Sequence, residues 1–138
     1  MAYNCFTYGS LMCDDIMTRV TGGAFSSTAA RLEGYARHPV RDETYPAIVP
    51  KAGACVEGRL YHGLDTRALQ RLDAFEGEMY ARTTVAVELA DGGTAQAEAY
   101  VLRPAWAHLL APGDWDFNDF LARGKAQFLA RYMGFGAL

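Results

Sequence analysis

Tyr80-Ala81-Arg82-Thr83-Thr84-Val85-Ala86-Val87-Glu88-Leu89 and Thr94-Ala95-Gln96-Ala97-Glu98-Ala99-Tyr100-Val101-Leu102 flank Asp91-Gly92-Gly93. Two alternating runs joined through Asp-Gly spell an antiparallel hairpin, because Gly and Asp tolerate the positive φ angles that a tight turn needs. Helical periodicity stands on both sides of that hairpin. Before it, Leu69, Leu72 and Phe75 follow Asp65, a natural N-cap, and Gly77 is placed to stop the helix. After it, Phe117, Phe120, Leu121, Gly124, Phe128 and Tyr132 fall on one face of roughly four helical turns, beginning at Asp114 or Asp116. An antiparallel pair mixed with amphipathic helices predicts an α+β fold, a curved mixed sheet or small β-barrel flanked by helices.

Working outward, Tyr3 to Tyr8 reads as a half-buried strand ending at Gly9. A helix from about Cys13 to Val20 follows, capped by Asp14 or Asp15 and ended by Gly22-Gly23. Phe25 to Val40 holds one strand. Tyr45-Pro46-Ala47-Ile48-Val49-Pro50 is bracketed by prolines and reads as an extended edge segment, since Pro lacks the N–H an inner strand must donate. Cys55 to Tyr61 alternates, with Val56, Gly58 and Leu60 on one side and Glu57, Arg59 and Tyr61 on the other; Gly58 permits close backbone approach. Arg103 to Gly113 is a connection, Gly134 to Leu138 a loose tail. Trp106, Trp115 and Phe135 read as core aromatics rather than an interface.

The 138 residues fit one domain, 1–138, with enough chain to bury a core. A net charge of −3 argues against nucleic acid as partner, because a phosphate-binding surface needs a basic excess. No apolar run approaches the length of a membrane span, and no basic region followed by an apolar run marks a secretory signal. The expected location is cytoplasmic, and the oligomeric state is left open. Cys5, Cys13 and Cys55 form no Cys-x-x-Cys pair, and His38, His62 and His108 are each isolated. That spacing disfavours a disulfide framework and a metal centre.

Two stretches carry candidate chemistry. Phe6-Thr7-Tyr8-Gly9-Ser10-Leu11 is a strand running through a glycine turn into a helix. Such a turn leaves several N–H groups unpaired, and the helix start adds partial positive charge, which together suit an anion such as a carboxylate. A Gly-Ser turn is also often only a turn. It is neither a Gly-x-Ser-x-Gly elbow nor a P-loop. Glu76, in Leu72-Asp73-Ala74-Phe75-Glu76-Gly77, sits in the last turn of its helix. The negative end of the macrodipole and burial beside Phe75 both disfavour the ionised form and raise its pKa, as suits a base near neutral pH. The same position fits an exposed glutamate near a C-cap, and Glu78 competes for the role. Cys13 at a helix start is a possible nucleophile with no histidine signature beside it. Tyr8, Tyr45 and Tyr80 suit either a pocket wall or the core.

In order, Phe6 to Met12, Tyr45 to Pro50, Val56 to Tyr61, Leu72 to Arg82 and Trp115-Asp116-Phe117 resemble the gamma-glutamylcyclotransferase-like superfamily, in its AIG2-like branch. The resemblance spans nearly the whole chain. It implies a small mixed β-barrel flanked by helices, with a Tyr-Gly-Ser loop binding a γ-glutamyl group and a glutamate as general acid/base. Carried across, the loop is Cys5 to Leu11, with Phe6, Thr7, Tyr8, Gly9, Ser10 and Leu11 binding substrate, Glu76 catalytic, and Tyr80 a pocket tyrosine. Members acting on γ-glutamyl amino acids or glutathione often read Tyr-Gly-Ser-Asn; Leu11 after Ser10 instead resembles the AIG2-like and γ-glutamylamine branches.

The implied reaction is cyclisation of a γ-glutamyl amide to 5-oxoproline with release of the amine. Attack is intramolecular, so the protein folds the substrate into place and moves protons, with no cofactor or metal required. The implied partner is a small-molecule γ-glutamyl substrate, with no membrane involved. Two other readings stand beside it: a non-catalytic binding or regulatory module that keeps the pocket, and a hydrolase using Cys13.

Overall fold

The computed structural model describes residues 2–134. Five strands close into a barrel in the order β1-β3-β2-β4-β5. They are β1 (Tyr3–Thr7), β2 (Ser27–Pro39), β3 (Pro46–Leu64), β4 (Tyr80–Leu89) and β5 (Thr94–Leu102). Neighbours pair antiparallel except at the closing seam, where β1 meets β5 in parallel at Cys5 and Glu98. The hairpin forms as its sequence requires: β4 and β5 pair from Tyr80 with Leu102 to Glu88 with Thr94. Asp91 Oδ1 accepts the Gly93 N–H at 2.8 Å, and Gly92 takes φ 91°. Small β-barrel with packed helices is thus the observed α+β architecture.

Helix α1 (Asp14–Thr21) begins one residue later than the sequence suggests, and its N-cap is Cys13 rather than either aspartate. Asp14 and Asp15 lie in its first turn, where negative charge still opposes the helix dipole favourably. Gly22 ends it in the left-handed conformation. Helix α2 (Thr66–Glu76) keeps the expected limits, with Asp65 Oδ1 accepting the Ala68 N–H at 2.8 Å and Gly77 at the C-cap. That cap contributes about 1 kcal/mol. Burial of Leu69 and Leu72 contributes more, about 1.5–3 kcal/mol each, so packing decides where the helix sits.

Tyr45 to Pro50 differs from expectation. Pro46 begins β3, a strand of 19 residues that continues through Leu64. Pro46 to Pro50 pairs with β2 alone, so the proline-tolerant edge character holds, yet Ala47 and Ile48 are fully buried. The register slips between Glu33 and Tyr35, where Gly34 takes φ 85° and residues 51–54 of β3 stand opposite it. The prolines hid the continuity because each removes a donor without preventing the extended backbone.

The core has two parts on either side of the barrel wall. Phe6, Leu32, Ile48, Val56, Leu60 and Val87 fill the barrel. Ile16, Met17, Leu64, Leu72, Trp115 and Phe120 pack between its outer face and the helices. Tyr61, placed outward by the alternation, is buried under this second layer. Trp115 joins it, and Trp106 packs partly buried against it; Phe135 and the rest of the tail lie outside the described residues.

The last helical run, 117–134, starts at Asp116, whose Oδ1 accepts the Asp119 N–H at 3.1 Å. It is not a regular α-helix: Phe120–Gly124 and Leu129–Gly134 are π turns around the α turn Lys125–Phe128. A π turn takes in more residues than an α turn, so positions four apart stack along one face. Phe120 and Phe128 are buried, Gly124 presses on Thr44, and Leu121 is rotated out to 45% exposure. The expectation that Leu121 shares the apolar face assumed a 3.6-residue period, and the wider turns overturn it.

Candidate active site

The loop after β1 is clamped from both sides. Arg37 of β2 donates from Nη1 to the Tyr8 carbonyl at 2.8 Å, and the Tyr61 hydroxyl donates to the Leu11 carbonyl at 3.0 Å. Arg37 is itself held by two bonds to Asp114, at 2.8 and 3.2 Å, and lies over the Trp115 ring. Between the clamps Gly9 passes so close to Pro46 that a Cβ there would meet its ring carbons at 2.8 and 2.9 Å. Only glycine lets the loop lie on the start of β3. Among the described residues, the turn's own hydrogen bonds are donated by Met12 to Gly9 O and Cys13 to Ser10 O, and none by Gly9, Ser10 or Leu11. Three consecutive N–H groups are therefore free to meet an acceptor.

Phe6, Thr7, Tyr8, Gly9, Ser10 and Leu11 all line one cavity of about 300 Å³, together with Glu76 and Tyr80. These eight residues singled out from the sequence thus come to one place, while Cys5, the first residue of the expected loop, does not line it. Glu78, the competitor of Glu76, is exposed outside it. Cys13 lies outside it as well, and burial pushes its thiol pKa up, opposite to what a thiolate nucleophile requires.

Glu76 is the only charged side chain on the cavity wall among the described residues. Burial pushes its carboxyl pKa up to about 8. Its intermediate exposure is compatible with that burial because the surface it keeps faces the cavity. Among the described residues no hydrogen bond or ion pair engages it, so the group is uncommitted. The helix end in which it sits adds to the same direction.

Tyr8 and Tyr80 surround it as neutral hydroxyls. Burial, with a smaller push from the Glu76 charge, raises the pKa of Tyr8 far above the usual tyrosine range. Burial, then Tyr8 and Glu76, does the same for Tyr80. Tyr8 donates to the Tyr100 carbonyl at 2.6 Å and Tyr80 to the Pro46 carbonyl at 2.9 Å. With their protons committed, what these oxygens offer is lone pairs, which suit a donor such as an ammonium group.

Residues that sequence reasoning did not select complete the arrangement. The Tyr100 hydroxyl donates to Asp73 Oδ1 at 2.7 Å, and Arg82 bridges Asp73 to Glu98 at 2.9 Å on each side. Asp73 shares a face of α2 with Glu76, one turn on. The partly exposed Arg82–Asp73 pair is worth little as stability, at most about 1 kcal/mol, so its contribution is to fix where α2 ends. Tyr100 carries no local signal, since it alternates along β5 like its neighbours. Phe128 and Tyr132, expected only to pack the last helix, also line the cavity, as do Phe75 and Met79. Tyr45, expected at a pocket wall or in the core, lines it too.

The family model described as gamma-glutamyl cyclotransferase, AIG2-like matches residues 5–117. AIG2-like protein C of Arabidopsis thaliana is 32% identical over 132 residues, covering 93% of this chain and 74% of the relative. A solution structure from Arabidopsis thaliana superposes with a TM-score of 0.72 at 26% identity, over 96% of this chain and 80% of that one. A protein titled gamma-glutamyl cyclotransferase has the same fold, with a TM-score of 0.67 at 21% identity, over 75% of this chain and 68% of that one.

Proposed function

The chain belongs to the gamma-glutamyl cyclotransferase, AIG2-like family, and from that premise we propose that it cyclises a γ-glutamyl amide or γ-glutamylamine to 5-oxoproline, releasing the amine. The observation that carries the reading is Glu76: a carboxyl without partner among the described residues, buried in the cavity, with its pKa raised to about 8. It stands in the same cavity as a loop whose N–H groups at Gly9, Ser10 and Leu11 are free.

The α-carboxylate of the substrate takes the loop N–H groups, where backbone donors meet negative charge without a side-chain cation. Its α-ammonium lies among the acceptor oxygens of Tyr8, Tyr80 and Glu76. Ionised Glu76 takes a proton from that ammonium and frees a lone pair, and the nitrogen attacks the γ-carbonyl carbon of the same molecule. One C–N bond forms and closes the five-membered ring; the C–N bond to the amine then breaks. Two protons leave the α-nitrogen and two arrive on the departing nitrogen, so Glu76 ends as it began. Loop N–H groups also stabilise the oxyanion that forms between the two steps.

A base with its pKa near 8 sets the pH dependence. Below pH 8 most of Glu76 is protonated and cannot accept the proton. The ratio kcat/KM is expected to rise about tenfold per pH unit from pH 6 and to stop rising near 8. A profile flat from pH 5.5 to 8, as an ordinary carboxylate would give, contradicts the role assigned to Glu76.

The test of the reaction is 5-oxoproline release from γ-glutamyl amino acids, γ-glutamyl-ε-lysine, glutathione and simple γ-glutamyl amides. Release from any of them supports the reading. A folded protein that binds these compounds and releases nothing is a binding module.

A further inference from the structure

We propose that the amine this enzyme releases is uncharged apart from its reacting nitrogen and carries an apolar ring. The assignment rests on the cyclotransferase reading and names its leaving group. The loop, Glu76 and the Tyr80 hydroxyl take the γ-glutamyl part of the substrate in that reading. The remaining wall is mainly rings and thioether, and the hydroxyls of Tyr45, Tyr100 and Tyr132 are bonded to Met79, Asp73 and Glu43. Tyr45, Phe75, Phe128 and Tyr132 come from three separate segments and meet with centroids 5.0 to 6.5 Å apart, edge to face except for the tilted Phe128–Tyr132 pair. Met79 extends the same wall. Such a surface rewards apolar area, and its rings already stack on one another, so it needs little rearrangement to receive another.

The charges nearest to this wall are spent. Glu43 accepts from Arg131 at 3.0 Å and from the Tyr132 hydroxyl at 2.7 Å, through one and the same oxygen. Arg131 lies over the Tyr132 ring at 5.3 Å. Among the described residues, those that form the wall carry no charge of their own, and Glu43 and Arg131 beside Tyr132 are paired with each other, so a second carboxylate meets no cation on the wall itself. The carboxylate of an amino-acid leaving group, or the α-carboxylate of a lysine, would lose hydration against the rings without gaining a partner. A benzyl-type amine loses only unfavourable contact with water.

The experiment compares kcat/KM for the γ-glutamyl derivatives of benzylamine, methylamine, alanine and the ε-amine of lysine. The benzylamide is expected to lead the other three by tenfold or more, roughly what one well-filled apolar pocket discriminates. Tyr132→Ala removes a ring that is 41% exposed, and so tests the wall with little risk to the fold. It is expected to lower the ratio of benzylamide to methylamide severalfold. Equal rates across the panel, preference for the alanine or lysine derivative, or a ratio unmoved in Tyr132→Ala overturns the leaving-group assignment while leaving the cyclotransferase reading in place. No turnover of any member overturns that reading, and this assignment with it.

Discussion

Glu76→Gln is expected to lower 5-oxoproline release by 10²–10⁴-fold, the range that a positioned general acid/base contributes. Glutamine keeps the shape of the protonated carboxyl and can neither take the ammonium proton nor return it. Because no other charged side chain lines the cavity among the described residues, no neighbour takes over the transfer. The loss should fall mainly on kcat, with a smaller rise in KM, since loop N–H groups still hold the substrate carboxylate and the oxygens of Tyr8, Tyr80 and the glutamine carbonyl still accept from its ammonium. A drop of less than tenfold removes Glu76 from the mechanism.

The same substitution is expected to leave the fold intact and to stabilise it at alkaline pH. Unfolded, the Glu76 carboxyl titrates near 4.5; folded, burial raises that to about 8. A raised pKa means the folded state binds the proton more tightly. The favourable contribution is complete below pH 4.5 and is lost progressively as pH rises through 8. Glutamine never ionises, so the variant should match wild type near pH 4.5 and exceed it by a few kcal/mol above pH 8. Melting curves at pH 5 and pH 8.5 check this, and equal shifts at both would show that burial does not govern the group. Stability surrendered at a site where activity needs a perturbed pKa is a familiar compromise.

Gly58→Ala is expected to lower stability by about 3 kcal/mol or more, at the upper end of overpacking effects. A Cβ at Gly58 would land on the Thr7 carbonyl oxygen and stand 2.9 Å from Phe6 Cζ. Neither neighbour can yield easily. Thr7 is backbone in the β1–β3 ladder, and Phe6 is buried in the barrel. Relief requires β1 to move away from β3, and β1 is the strand that leads into the cavity loop Tyr8 to Leu11. For a chain of this length the loss corresponds to a fall in Tm on the order of 10 °C. A melt within about 1 kcal/mol of wild type would mean that the two strands separate more freely than this packing implies.

Elements whose signals are local were legible in the sequence. Asp91-Gly92 fixed the hairpin through turn geometry, Asp65 and Gly77 bounded α2 through capping, and Gly58 marked a close approach of strands. Chemistry at Glu76 was legible in direction, because its place at a helix end beside Phe75 already implied a raised pKa. Family resemblance then singled out the residues that the fold assembles around one cavity.

Features that depend on distant partners were not legible. Strand β3 runs through two prolines because β2 pairs with it from one side only, and nothing within Tyr45 to Pro50 announces that arrangement. Tyr100 and Asp73 look like any strand tyrosine and helix aspartate until the barrel brings them within 2.7 Å. Arg37 holds the Tyr8 carbonyl across 29 residues. The aromatic wall needed the π turns of the last helical run, which carry Phe128 and Tyr132 to the cavity and turn Leu121 away. Propensity, capping and turn chemistry act over a few residues, and the sequence by itself determines what they govern. Burial and the sharing of hydrogen bonds between remote segments exist only once the barrel has closed, and they decide which neutral tyrosines, which raised carboxyl and which apolar wall surround the cavity.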